Sequence, residues 1–303
     1  MNGRLERVGR YAAVARGLER EGAYNAAKLL RAAMLGELVR YAEAEAPAGG
    51  ALAAASLEAL LASDRHLLPA DMAEILEPLP AAVRAGHTIP LADAPRVRVC
   101  RICGTTFIGD DIAPACPECE APALSFHEEL PVWYLGPADR GAILAALAAG
   151  PRHLERALAG RDDAQLADPP AAGEWSARQT LEHLLFTEEL LALRIRRLLE
   201  EDEPNLAAAA VWADTPASDE GSADTGGEAA TSIAHRIEAL RRETVARLAD
   251  LDDASWGRAG EHAEWGRVTV LSQAAYFARH EASHYAQLVA AADGRLPGRT
   301  AAE

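Results

Sequence analysis

The chain contains four cysteines, and all of them fall within one short stretch: Cys100-Arg-Ile-Cys103 and, twelve residues later, Cys116-Pro-Glu-Cys119. Each C-x-x-C lets two thiolates converge on one ion, and four thiolates in tetrahedral geometry select iron or zinc. Gly104 follows the first pair, where a positive φ turns backbone N–H groups toward sulfur. Pro117 stiffens the second pair. Cysteines confined to one span suit a metal site in a reducing cytoplasm better than a disulfide scaffold. Cys100, Cys103, Cys116 and Cys119 are therefore candidate ligands of one iron or zinc ion. The segment around them, 97–126, is punctuated by Gly and Pro and lacks helical periodicity.

The flanks read as helices. Leu5, Val8, Ala12, Ala15 and Leu18 recur at three-to-four spacing, Glu21-Gly22 interrupts, and Ala23, Ala27, Leu30, Met34 and Val39 resume the stripe. From Leu52 to Leu76 two short helical pieces are expected, split at Pro69 and ended by Pro78 and Pro80. After the cysteines come four helical stretches, near 139–159, 176–202, 232–250 and 268–292. Asp139 reads as an N-cap, and Ser176 with Gln179 as a capping box. Between the second and third of these stretches, Asp214, Asp219, Glu220, Asp224 and Glu228 mark a loop too polar to pack, expected to be mobile. Four helices with one long crossing loop describe a bundle rather than a βαβ fold. The expected class is mainly α: a helical hairpin (1–46), short helices and linker (47–95), a small β/knuckle metal domain (96–128) and a four-helix bundle (139–294).

Charge limits the partners. The 303 residues carry 30 Lys and Arg against 46 Asp and Glu, a net −16. With no basic stripe to offset it, that balance argues against a nucleic-acid partner. The opening MNGRLERVGR has no apolar core for a secretory leader, and no 18-residue apolar stretch exists, so a cytoplasmic protein without a membrane span is expected.

The bundle segment carries a second candidate metal site. His280 and His284 stand four apart and share a helix face. His183, beside Leu184 and Leu185 in the second stretch, can supply a third nitrogen. Three neutral imidazoles suit a divalent ion (zinc, nickel or iron) and leave it an open position. His280-Glu281-Ala-Ser-His284 also fits the H-E-x-x-H pattern of zinc proteases. That reading fails, because few residues follow, and Gln287 and Ala290 stand where a metzincin needs Gly and His. Glu281 is expected to be a solvated charge. Tyr276 and Gln287, one turn to either side of the pair, are candidate catalytic or orienting residues. Trp175, Trp256 and Trp265 are expected to plug the core at helix ends.

The stretch VCRICGTTFIGDDIAPACPECEAPALSF resembles the rubredoxin-like domain that ends rubrerythrins, which implies one redox-active iron on the four cysteines. Glu120 departs from that pattern, standing where a small residue is usual. With Arg10-Tyr11, Glu21-Gly22, Ala27 and Leu29, and Arg31-Ala32 at matching spacing, the first segment is similar to the opening hairpin of rubrerythrins, but Arg4 and Arg40 occupy positions where that family places a Glu and a His ligand. A guanidinium has no lone pair to give, so a degenerate hairpin without a diiron centre is expected. Residues around GEWSARQTLEHLL, EDEP, HRIEALRRETVARLADLDDASWGR and WGRVTVLSQAAYFARHEASHYAQL resemble the DinB-like superfamily of metal-binding four-helix bundles. That resemblance implies a divalent ion on His183, His280 and His284. It also implies a metalloenzyme acting on a small molecule, either a hydrolase or a transferase using a low-molecular-weight thiol. Two alternatives stay open: a rubrerythrin-like redox protein passing electrons from a tetrathiolate iron, with a redox partner, and a non-enzymatic metal-binding scaffold or sensor. A homodimer is also open.

Overall fold

The computed structural model describes residues 3–46, 50–85, 93–109, 111, 113–131, 133–206, 225–262 and 265–296. Most of the acidic loop foreseen between the second and third bundle helices therefore lies outside the described residues. The chain divides into two compact units, Met1–Asp64 and Arg65–Glu303.

The first unit comprises α1 (Gly3–Arg20), α2 (Tyr24–Glu45) and α3 (Gly50–Asp64). The break between α1 and α2 falls at Glu21-Gly22, closed by the Ala23 N–H on the Leu18 carbonyl at 2.8 Å. Ala15, Ala27 and Ala54 are its buried apolar residues among those described, while Leu5 and Val39 of the expected stripes stay exposed. The Glu37 carboxylate binds Arg7 at 2.8 Å and Arg40 at 2.6 Å, with Arg4 at 3.6 Å. Hydrogen bonds from Arg40 and Arg7 hold Glu37 below the usual carboxylate range. Arg4 and Arg40, the positions compared above with diiron ligands, thus form an ion-pair cluster with Glu37 and Arg7.

The second unit begins with α4 (Ala70–Leu76) and α5 (Leu79–Arg84). Pro80 does not end a helix, as the sequence suggested; it lies in the first turn of α5, where a missing N–H costs nothing. The strands β1 (Val97–Cys100), β2 (Thr106–Ile108) and β3 (Phe126–Glu129) form an antiparallel sheet in the order β2-β1-β3.

The bundle consists of α6 (Arg140–Leu158), α8 (Ala177–Glu200), α9 (Ala230–Ala249) and α11 (Val270–Ala292). The Asp139 side chain caps α6 through the Ala142 N–H, and Ser176 and Gln179 form the expected capping box on α8. α6 and α8 each pack against both α9 and α11. Two shorter helices, α7 (Asp163–Ala167) and α10 (Asp253–Trp256), fill the connections, and a hairpin of β4 (Ala259–His262) and β5 (Gly266–Thr269) leads into α11.

The core forms two apolar layers. One holds Leu154, Leu185, Ile237 and Leu288; the other holds Leu147, Leu191, Leu248 and Phe277. At the level between them Arg241 is buried, paired with Glu188 and, at 2.7 Å, with Glu281. Glu281 is thus an interior ion-pair partner, 4% exposed, and not the solvated charge expected from sequence. Gly150 faces the same cluster, and a Cβ there would meet Glu281 Oε1 at 2.6 Å and the Tyr285 hydroxyl at 2.7 Å. Only glycine admits that approach.

Candidate metal centres

The two C-x-x-C turns are built alike. In the first, the Gly104 N–H donates to the Cys100 carbonyl at 2.9 Å and the Cys100 N–H to the Thr105 carbonyl at 2.8 Å. In the second, the Glu120 N–H donates to the Cys116 carbonyl and the Cys116 N–H to the Ala121 carbonyl, both at 2.8 Å. Gly104 and Glu120 both adopt positive φ, 86° and 59°. The departure noticed at Glu120 is therefore a non-glycine residue in a left-handed position. Cys100 Sγ and Cys119 Sγ stand 3.7 Å apart, Cys103 Sγ and Cys116 Sγ 3.6 Å apart, and all four sulfurs lie within 4.8 Å of one another. The Thr105 hydroxyl, 3.0 Å from Cys103 Sγ, together with the Thr105 N–H draws the Cys103 thiol down to about 6. Four soft donors gathered around one point fit a tetrahedral thiolate-loving ion.

The second centre lies between α8 and α11. His183 Nε2 and His280 Nε2 approach to 3.4 Å, and His284 Nε2 and His280 Nε2 to 3.2 Å. The capping box at Ser176 fixes where α8 starts and hence which face carries His183. The i, i+4 spacing fixes the other two imidazoles on one face of α11. Gln287 Oε1 lies 2.8 Å from His284 Nδ1. It accepts the Nδ1 proton and leaves the Nε2 lone pair directed at the shared centre, the arrangement metal-bound histidines use. His280 has no such support: its Nδ1 is buried without a hydrogen-bond partner. Burial, then the neighbouring His284 and His183, push His280 down to about 3, and burial lowers His284 as well. Both rings are neutral near pH 7, the form that can bind a cation. The donor set fits a divalent ion.

Aromatic rings wall this centre. Tyr276 stacks on His280 with ring centres 5.7 Å apart, and Tyr134 meets His280 edge-on at 5.7 Å. Trp175 lies 5.1 Å from His183 and nearly parallel to His284 at 6.2 Å. Sequence reasoning took Trp175 for a core plug; it borders the imidazoles instead, whereas Trp256 is a core residue at 3% exposure. Tyr134 was missed altogether. It is brought in from the segment before α6 by Arg279, which donates to the carbonyls of Tyr134 at 2.8 Å and Pro137 at 2.7 Å. An arginine one residue before His280 was the available signal.

Residues 146–288, which include all three histidines, match the family model described as the DinB superfamily. Among solved structures, YfiT from Bacillus subtilis, described as a probable metal-dependent hydrolase with an unusual four-helix bundle topology, is 20% identical with a TM-score of 0.43. That match covers 55% of this chain and 92% of that chain. No curated protein matches.

Proposed function

We propose that the DinB-superfamily domain of this protein binds a divalent cation through His183, His280 and His284 and acts on a small molecule, as a hydrolase or as a thiol-dependent transferase. The observation that carries this reading is the convergence of three Nε2 atoms, with the His280 and His284 rings held neutral and Gln287 directing the His284 Nε2 lone pair inward. A cation so held supplies Lewis acidity, which polarises a carbonyl or acidifies water or a thiol co-substrate.

The chain's own residues do the rest. Gln287 keeps His284 in one tautomer. The rings of Trp175, Tyr134 and Tyr276 exclude bulk water from one side of the imidazoles and offer flat surfaces to an organic substrate. The experiment is a turnover screen of metal-loaded protein against esters, amides and electrophiles, with and without low-molecular-weight thiols. Activity lost in His280→Ala and His183→Ala supports the reading; no turnover and no thiol binding count against it.

The four-cysteine cluster supports a separate, second role. N–H groups of Thr105 and Ala121 are directed at the Cys103 and Cys119 sulfurs, as tetrathiolate iron and zinc sites require of their surroundings. We assign this module to holding one iron or zinc ion. A red ferric protein would favour electron transfer to a redox partner, and a colourless zinc protein a structural role.

A further inference from the structure

Arg194 on α8 is nine-tenths buried, yet among the described residues no carboxylate pairs with it. Its Nη1 donates to Gln273 Oε1 at 3.2 Å, its Nη2 faces His262 Nε2 at 3.2 Å, and its guanidinium lies 5.7 Å from the Trp265 ring centre. Arg194 Nε and Gln273 Nε2 are both buried donors without an acceptor. His262 cannot relieve the imbalance. Its Nδ1 also faces the Trp265 backbone N–H at 3.3 Å, and a neutral imidazole has one lone pair to share between two donors. Among the described residues, donors outnumber acceptors around a buried positive charge with no carboxylate beside it, which is costly unless something negative joins it.

The cluster is aligned with the three imidazoles. Eleven residues separate His183 from Arg194 and seven separate Gln273 from His280, so on each helix the two groups share a face, about 10–16 Å apart along the axis. Tyr276 spans the interval, stacked on His280 and 4.5 Å from Trp265. Trp265 in turn lines a cavity of about 730 Å³ together with Leu135, Val268 and Ser272.

We propose that Arg194 and Gln273 form an oxyanion subsite, which receives a carboxylate or phosphate group of a small molecule whose other end reaches the three histidines. The second half of that statement rests on the function proposed above; the anion subsite does not.

The test uses the full chain, metal-free, titrated with glutarate and separately with inorganic phosphate at constant ionic strength, read by calorimetry and thermal melting. Wild type should bind one of the two saturably, with a rise in melting temperature. Arg194→Met should bind at least tenfold more weakly, and His280→Ala should bind as wild type does. That last arm reads anion recognition without any metal, so failure of the histidine site and failure of the subsite are told apart. If Arg194→Met does not fold, Arg194→Lys, which keeps the charge and loses the planar fork, must bind more weakly than wild type. No saturable binding of either anion by wild type overturns the proposal, as does undiminished binding by the Arg194 variant tested.

Discussion

Arg241 donates its Nη1 to the carbonyl oxygen of Leu147 at 2.9 Å. That carbonyl would ordinarily accept the N–H of residue 151, and residue 151 is a proline inside α6. The guanidinium replaces the missing helical donor while pairing with both Glu188 and Glu281, so one side chain joins α6, α8, α9 and α11 between the two apolar layers.

Replacing Arg241 with Met should therefore destabilise the bundle by about 3–5 kcal/mol, because two carboxylates and a carbonyl lose their buried partner. Pro151→Ala should change stability by less than about 1 kcal/mol, although a helix-interior proline usually costs about 3. Denaturant unfolding of both variants checks this. A large gain from Pro151→Ala would mean that Arg241 does not satisfy Leu147.

Gln287 acts on His284 alone among the three imidazoles. Gln287→Leu should keep the helical spectrum and weaken metal binding by roughly 10–100-fold, the usual cost of losing a ligand's supporting hydrogen bond. Gln287→Glu should retain binding. Metal titration of the two side by side gives the answer; equal affinities for wild type and Gln287→Leu would remove Gln287 from the site.

The helices and both side-chain clusters were legible because each rests largely on short-range pattern: the i, i+4 spacing of His280 and His284, the Ser176 and Gln179 cap, the paired C-x-x-C turns. What the pattern could not show depends on residues distant in sequence. Glu281 looks solvated until α9 brings Arg241 to it. Trp175 and Tyr134 reach the imidazoles through connections whose course no periodicity encodes. The β4–β5 hairpin was overlooked for the opposite reason: four-residue strands beside a capped helix leave too little alternation to read. Arg194 is the clearest case, since one of several arginines in an amphipathic helix gives no sign of being the buried one.

Glu120 occupies a left-handed position that its structural counterpart, Gly104, occupies freely. Glu120→Gly should stabilise the four-cysteine module by about 1 kcal/mol, the cost of positive φ for a residue with a Cβ. Cys103→Ser should release or weaken the metal of this module alone and loosen residues 97–126, since a four-thiolate site contributes folding energy directly. Hydrogen exchange across β1, β2 and β3 reports both effects. Loss of the bundle's metal in Cys103→Ser would contradict the independence of the two centres.

His262 is pushed down to about 4, by burial first and by the Arg194 charge second. Its folded pKa lies below that of an unfolded histidine, near 6.5. The neutral ring thus contributes stability above about pH 6.5, and this contribution is lost as pH falls toward 4. In Arg194→Met the burial remains and the repulsion goes, so the His262 pKa should rise part of the way back. An NMR titration of the His262 ring protons in both proteins measures it; identical values would show that the Arg194 charge does not act on this ring.

The central claim is that three imidazoles share one ion, apart from the four thiolates. Cobalt(II) titration of metal-free wild type and His280→Ala tests it most directly, because cobalt–thiolate charge transfer and the spectrum of a nitrogen-bound ion are separable. Wild type should bind two equivalents. His280→Ala should bind one, keeping the thiolate band, losing the nitrogen-bound spectrum, and retaining its helicity. Two equivalents in both proteins, or one in both, would contradict the three-histidine centre and the proposed function with it.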